Sequence, residues 1–192
     1  MSKRLTACLT AGLTLATLLS DWPWAAGQKS RNMTEVTRKG VRYILQFGPG
    51  DPEFAPEKVF VGTLVTVQFK VTLYAEKKDP QNMVVPVRAD DVVRQEYEII
   101  GLSSSDTVTD VTSDDFTGDE IKRESGKPLL LIKTGPLTGT SFTVTVKLKF
   151  ATTGTKVITL RGNEVKFQDG TTMPNLQYQN GVNRGYVPGV AK

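Results

Sequence analysis

The chain has 192 residues, with 24 lysines and arginines, 20 aspartates and glutamates, a formal net charge of +4, no histidine and one cysteine. The lack of histidine excludes an imidazole-based catalytic triad or zinc site, and one cysteine supports neither a disulfide framework nor a cysteine metal cage. The body of the chain has no apolar run of about 18 residues, which excludes an internal membrane span, and the length fits one domain with a short extra segment.

Residues 1–26 have the pattern of a secretory signal peptide. Lys3-Arg4 precede an uncharged, weakly apolar run from Leu5 to Ser20, and small residues follow at Ala25–Ala26. The pattern predicts cleavage after Ser20 or near Ala26, and a secreted protein that is extracellular or at the cell surface. The alternative is an uncleaved N-terminal anchor, which would then be the protein's contact with a membrane.

Residues 27–40 are rich in basic side chains, including Lys29, Arg31, Arg38 and Lys39. This composition predicts a flexible, solvated basic linker before the domain. The alternative is an electrostatic arm that binds an anionic surface. The sequence has no nucleic-acid-binding motif and begins with an export signal, so we expect no nucleic-acid partner.

From residue 41 onward the apolar residues recur with a period of two, which is the pattern of half-buried strands. Two segments, 64–74 and 141–150, show it most clearly. Weaker strands are predicted at 41–47, 83–87, 95–102, 107–112, 129–133, 157–160 and 164–167, the last two joined by a tight turn at Arg161-Gly162-Asn163.

These short alternating segments predict an all-β fold over residues 41–170. We expect an antiparallel β-sandwich, immunoglobulin-like or jelly-roll, with about eight or nine strands. The apolar rows of the two clearest strands are expected to face each other across the core. The rows are Val65, Val67, Phe69 and Val71, and Phe142, Val144, Val146 and Leu148.

The pattern fades in residues 171–192, which are rich in asparagine and glycine. The composition predicts a loose C-terminal tail. The alternative is an extended segment that lies along the sheet or pairs with the open edge of a neighbouring molecule.

An acidic segment is the most distinctive local feature of the chain. Its six carboxylates, without a basic residue between them, are Asp106, Asp110, Asp114, Asp115, Asp119 and Glu120. Oxygen-rich loops suit a hard cation, so these residues are predicted to bind calcium, with Asp90-Asp91 as a second donor pair. The spacing is not that of an EF-hand, and a solvated acidic loop is the alternative.

Several segments resemble the cohesin-like and carbohydrate-binding-module-like sandwiches of secreted bacterial proteins. Gly62–Phe69 is similar to the early G-T-V-T-V strand of that family, and Tyr97–Ile100 to its central strand. Phe142–Phe150, Ile158–Leu160 and Val165–Phe167 resemble its closing strands. The resemblance implies a non-catalytic binding or scaffold module.

The sequence therefore predicts a secreted, non-enzymatic β-sandwich that contacts an extracellular protein or polysaccharide through its surface, with calcium as a stabilising ion. Tyr97, Tyr178 and Tyr186 are the candidates for stacking on sugar rings. One alternative is a self-assembling filament or surface-layer subunit, in which residues 28–47 or the C-terminal tail insert as a strand into a neighbour. Another is a small secreted hydrolase with two facing carboxylates.

Overall fold

Alternating apolar and polar residues build two antiparallel sheets that pack face to face. The computed structural model describes residues 32–49, 59–124, 127–179 and 186–187, so the predicted signal peptide lies outside the described residues. The strands of the described residues are, in chain order, β1 (Met33–Arg38), β2 (Val41–Pro49), β3 (Leu64–Lys78), β4 (Val84–Arg88), β5 (Val92–Ile100), β6 (Thr107–Ser113), β7 (Ile121–Lys122), β8 (Leu129–Thr134), β9 (Ser141–Lys149), β10 (Gly154–Thr155), β11 (Thr159–Phe167), β12 (Leu176–Gln179) and β13 (Tyr186–Val187).

The six-stranded sheet has the order β1-β2-β3-β9-β6, and β4 pairs with the end of β3. The five-stranded sheet has the order β12-β11-β5-β8-β7. Strands β10 and β13 form a separate two-stranded sheet. The predicted all-β sandwich is therefore confirmed, with eleven strands in its two main sheets instead of eight or nine. Among the described residues, no helix has the length and apolar character needed to cross a bilayer.

The two strands with the clearest alternation, β3 and β9, are neighbours in one sheet. Val65 lies opposite Leu148, and Val71 lies opposite Phe142. The expectation that their apolar rows face each other across the core is therefore wrong. Periodicity specifies which face of a strand is buried, but it does not specify the layer that covers that face. The opposite layer comes from β5, β8 and β11, with Tyr97, Leu131 and Phe167 among its buried residues.

The predicted linker is wrong over residues 33–38, because these form β1 and pair with β2. The connection is the two-residue turn Lys39-Gly40, in which both residues have positive φ, 49° and 76°. Such turns match the twist of paired strands. The usual sequence signal for them is Asn-Gly or Asp-Gly, and here lysine stands at the first position, so the hairpin was not predicted. Val36 packs against the core from this edge strand.

Residues 157–167 also differ from their prediction as two strands joined by a tight turn. Residues Thr159–Phe167 form the single strand β11, with a register shift between Gly162 and Glu164. The turn-like pair Gly162-Asn163 is thus a bulge that leaves Asn163 as the extra residue. Beyond residue 170, Leu176–Gln179 pair with β11, so this part of the predicted tail is an extended segment on the sheet.

Tyr97 lies at the centre of the core and is fully buried. Its ring contacts Phe142 at 5.4 Å and Phe47 at 6.0 Å between centroids. Its hydroxyl donates to Gln95 Oε1 at 2.9 Å, and Gln95 Nε2 donates to the Gly135 carbonyl at 2.8 Å. Burial raises the pKa of Tyr97 far above its ordinary value. Tyr97 is therefore a core residue, and its prediction as a sugar-stacking residue is wrong.

Gly101 directly follows β5 and has a conformation that a larger residue does not tolerate. Its φ is +95°, and a Cβ built there would lie 1.8 Å from the Val157 carbonyl oxygen. We expect Gly101→Ala to destabilise the fold by about 3 kcal/mol or more, through backbone strain and a backbone clash. Gly62→Ala is the matched control, since Gly62 has φ +77° and no atom within 4 Å of the added Cβ. Thermal unfolding followed by circular dichroism should rank Gly101→Ala well below Gly62→Ala, and equal losses would contradict this account of the Gly101 contact.

Candidate functional site

The outer side of β3 and β9 is polar, whereas the inward-facing residues of both strands are buried in the core. We call it the threonine–lysine face, and it consists of Thr66, Gln68, Lys70 and Thr72 of β3 with Thr143, Thr145 and Lys147 of β9. The residues that alternate with these are at most 2% exposed, because they fill the core. The same alternation that builds the core therefore fixes the positions of these polar side chains.

Register places hydroxyl, amide and ammonium groups side by side on this face. Lys70 lies opposite Thr143, and Gln68 lies opposite Thr145. Gln68 Nε2 donates to Thr145 Oγ1 at 3.1 Å, so one cross-strand pair is already hydrogen-bonded. Lys147 Nζ reaches Asp110 Oδ2 on the neighbouring edge strand β6, at 3.2 Å. The face is thus an array of short donors and acceptors with a fixed spacing.

The basic groups on this side of the sheet differ in how far they are neutralised. Arg42 lies between Glu35 and Glu76, and hydrogen bonds to these two carboxylates raise its pKa. Lys70 and Lys149 are exposed, and neither has an ion-pair partner among the described residues. The positive charge that remains for a ligand therefore lies on β3 and β9, away from the Arg42 end.

The six predicted calcium ligands are spread from Asp106, directly before β6, through β6 and the segment that follows it. Asp106 accepts the backbone N–H groups of Ser103 and Ala151, both at 2.9 Å. Burial would raise the pKa of Asp106, but these hydrogen bonds hold it below its ordinary value. Asp114 accepts the Thr143 N–H at 2.7 Å. These carboxylates satisfy backbone donors and connect neighbouring strands and loops.

Asp110 pairs with Lys147, and Asp119 lies in a short 3-10 turn with Glu120. Glu120 caps that turn by accepting the Thr117 N–H at 2.8 Å. Within the described residues, no group of three or more carboxylate, cysteine or histidine side chains is arranged to hold a metal ion. The structure therefore does not bring the six predicted ligands together, and calcium binding stays a prediction.

Lys133 supplies a positive charge beside Asp115, a buried carboxylate within the acidic segment. Its Nζ lies 2.7 Å from the Asp115 carbonyl oxygen, 3.7 Å from Glu120 Oε1 and 4.0 Å from Asp115 Oδ1. The Asp115 side chain is 4% exposed, and its Oδ1 also accepts the Thr138 N–H at 2.9 Å. The ammonium lies over the Phe116 ring as well. The ammonium group of Lys133 on β8 thus neutralises the buried carboxylate of Asp115, the role for which the acidic sequence predicted a metal ion.

A second buried charge cluster fastens β1 to the loops at one end of the sandwich. Arg38 pairs with Asp91 and, at 2.6 Å, with Asp169, and its side chain is 6% exposed. Its guanidinium carbon lies 3.9 Å from the centre of the Phe167 ring. The Tyr43 hydroxyl donates to Asp91 Oδ2 at 3.0 Å. Asp90-Asp91, predicted as a second calcium donor pair, are thus divided between this cluster and a surface pair of Asp90 with an arginine of β4.

A cavity of about 290 Å3 opens between β6 and β8. Leu102, Val108 and Leu129 form its apolar wall, and its two carboxylates belong to Asp106 and Glu124. Asp106 is bonded to two backbone N–H groups, and Glu124 is paired with a lysine of the same loop. The cavity therefore lacks the two free, facing carboxylates that the hydrolase hypothesis needs.

No protein-family model and no curated protein matches the sequence. The structure is similar to a cohesin module from the family 33 glycoside hydrolase of Clostridium perfringens. The two chains share 17% identity, the TM-score is 0.38, and the match covers 76% of this chain and 96% of the other. The weak cohesin-like resemblance predicted from the sequence is confirmed at this level of similarity.

We expect Arg38→Met to destabilise the protein by about 2–4 kcal/mol near neutral pH, because it leaves two partly buried carboxylates without their cation. Arg88→Met is the control, since Arg88 and Asp90 form an exposed pair whose loss changes little. Urea unfolding of both variants measures the difference. Similar losses in the two variants would show that the Arg38 cluster is no stronger than a surface pair.

The Arg38 cluster also predicts a pH dependence. The hydrogen bond from Arg38, followed by those from Thr171, lowers the pKa of Asp169 well below its ordinary value. A carboxylate with a lowered folded-state pKa stabilises the fold above its unfolded pKa of about 3.9, and this contribution is lost as the pH falls through the folded value. The stability gap between wild type and Arg38→Met should therefore narrow as unfolding is measured at decreasing pH below about 4. A gap that widens on acidification would overturn this account.

Lys133→Met should destabilise the fold by about 2–3 kcal/mol, because Asp115 would keep a buried charge without a cation. The double variant Lys133→Met, Asp115→Asn should regain part of that loss, since the uncompensated charge is removed. Lys122→Met is the control, because Lys122 is an exposed residue of β7. Chemical denaturation of wild type, Lys133→Met, Asp115→Asn and the double variant forms the cycle, and additive effects of the two substitutions would count against the pairing.

Proposed function

We propose that the chain is a secreted, non-enzymatic binding or scaffold module, and that its threonine–lysine face contacts an extracellular protein. The observation that carries the proposal is the rigidity of this face. Its seven polar side chains lie on two strands joined by nine residue pairs, and the opposite sides of those strands are buried. Such a surface loses little conformational freedom when a partner binds.

The chemistry of the face indicates the character of the partner. Threonine side chains are short and β-branched, so they keep few rotamers and lose little entropy when they form hydrogen bonds. Lys70 and Lys149 add positive charge that has no ion-pair partner among the described residues. A complementary protein surface would be rich in hydrogen-bond acceptors and carboxylates, and its association would weaken with salt.

A protein partner fits this face better than a polysaccharide does. Sugar rings stack on exposed aromatic side chains, whereas Tyr97 is fully buried in the core. On the outer side of the six-stranded sheet the described strands contribute one aromatic residue, Tyr74, which is half-buried beyond the threonine–lysine face. The face thus offers polar contacts in a flat array without an exposed aromatic platform for a sugar ring, and this favours a protein partner.

The structure also bears on the self-assembly hypothesis. The proposed donor segment, residues 28–47, includes β1 and most of β2, which pair within the chain's own sheet. Tyr43, Leu45 and Phe47 of that segment are part of the core. Donating this segment to a neighbour would require the molecule to open its own core, which favours the binding-module proposal over strand exchange through residues 28–47.

Placing negative charge on the face tests the proposal. The double variant Lys70→Glu, Thr145→Glu should lower affinity for an acidic protein partner at least tenfold, because it places two negative charges on the contact surface. Lys166→Glu is the matched control, since Lys166 is an exposed lysine on the outer side of the other sheet. The readout is crosslinking of the immobilised protein to extracellular proteins of its source, followed by binding isotherms for the captured partner at two salt concentrations.

Wild type and the control should capture the same partner, and the face variant should lose it. If the face variant binds as wild type does, or if Lys166→Glu reduces binding equally, the threonine–lysine face is not the contact surface. Retention by an insoluble polysaccharide that depends on Lys70 would assign the face to a different class of ligand and would overturn the proposal of a protein partner.

A further inference from the structure

The hairpin between β3 and β4 is held in one conformation by its own turn. Asn82 N–H donates to the Asp79 carbonyl at 2.9 Å, and Asp79 N–H donates to the Met83 carbonyl at 2.8 Å. The Asp79 carboxylate accepts the Met83 N–H at 2.7 Å, and Asn82 has φ +68°. Asparagine tolerates this left-handed conformation, so the turn is specified by its sequence. The end of the hairpin is therefore a fixed projection of the sheet.

This fixed turn presents apolar side chains to water. Met83 is 64% exposed and Val84 is 54% exposed, and Met83 is the most exposed large hydrophobic residue in the described part of the chain. Pro86, two residues further along β4, is exposed as well. Met83 and Val84 are adjacent in sequence, so the exposed apolar surface is concentrated at the end of the hairpin.

Basic residues surround the apolar end of the hairpin. Lys78 lies opposite Val84, and Lys77 lies opposite Val85. Both lysines are exposed, and neither has an ion-pair partner among the described residues. The Lys39 turn between β1 and β2 lies at the same end of the sheet, because β2 begins where β3 ends. We call residues Lys39, Lys77, Lys78, Met83 and Val84 the basic–apolar tip.

The acidic groups nearest to this tip are already engaged. The Asp79 carboxylate accepts the Met83 N–H within the turn, and Glu76 is paired with Arg42. Asp79 keeps its own negative charge, but Lys39, Lys77 and Lys78 outnumber it, so the tip carries net positive charge around its apolar side chains. This is the arrangement by which proteins bind the interface of an anionic bilayer, with apolar side chains among the headgroups and lysines near the phosphates.

We propose that the basic–apolar tip docks on an anionic lipid surface. The size of the tip favours this occupant over a protein, because a stable protein interface needs about 800 Å2 on each partner. Two apolar side chains at the end of one hairpin cannot supply such an area, whereas a bilayer accepts a small apolar insertion with basic flanks. The proposal is independent of the threonine–lysine face, and different residues test it.

The first experiment places an environment-sensitive fluorophore at the tip of the full chain. Met83→Cys, in a Cys8→Ser background, is labelled with a nitrobenzoxadiazole dye, and Lys166→Cys is the labelled control. Vesicles of phosphatidylcholine alone are compared with vesicles that contain about one third phosphatidylglycerol. The probe at position 83 should shift to the blue and brighten on anionic vesicles only, and the probe at position 166 should not respond. Lys77→Gln with Lys78→Gln should weaken the response at least tenfold, as should high salt.

The second experiment uses unlabelled protein and vesicle flotation. Met83→Ser with Val84→Ser should reduce the vesicle-bound fraction at least fivefold. The matched control is Phe60→Ser with Leu64→Ser, which removes two exposed apolar side chains at the other end of β3. Circular dichroism confirms that each variant is folded, and the N-terminal segment is identical in all of them.

The lipid assignment is overturned by any of three results. These are a probe at position 83 that stays in water on both kinds of vesicle, a response that is equal on neutral and anionic vesicles, and a response that the two lysine substitutions leave unchanged. A soluble protein that shifts the position 83 probe when anionic vesicles do not would assign the tip to a protein partner and would likewise reject the proposal.

Discussion

The pairing of β3 with β9 is the constraint on which the rest of the sandwich depends. Nine residue pairs, from Leu64 with Lys149 to Thr72 with Ser141, fix the register. In that register one face of both strands is buried and the other is polar. A slip of one residue would turn the buried set outward and the threonine–lysine face inward, so the core and the candidate binding face are specified together. The register that buries the core therefore also fixes the spacing of the polar groups.

The same constraint explains how much of the fold the sequence predicts. Alternation is a local property, so β3 and β9 are recognised from their own residues, and an all-β sandwich follows. The choice of neighbour is not local, since Val67 and Val146 pair although 79 positions separate them in the numbering of the chain. For this reason the two rows were expected to face each other, whereas they lie side by side. Short or edge strands such as β1 and β12 have too few residues for a period to show.

The charged residues show a similar limit at the level of the sites. Arg38 belongs to a run of basic residues that predicts a solvated linker, yet its partners Asp91 and Asp169 come from loops distant in sequence. Asp115 belongs to an acidic run that predicts an ion site, yet its cation is Lys133 on another strand. Composition reports the charge of a segment, but the fold decides which opposite charge is brought to it. The threonine–lysine face was accessible to prediction, because its polar residues alternate with the core residues of β3 and β9.

The two proposed surfaces share one strand, and this has a geometric consequence. The first part of β3 pairs with β9 and carries Lys70, whereas its last part extends beyond β9, pairs with β4 and carries Lys78. At about 3.3 Å per residue, eight positions separate these lysines by about 26 Å along a continuous strand. A partner on the threonine–lysine face and a bilayer at the basic–apolar tip would not compete for the same residues. Because β3 is paired on both sides, it would hold the two at a fixed distance, and a scaffold module that presents a bound protein near a membrane needs that rigidity.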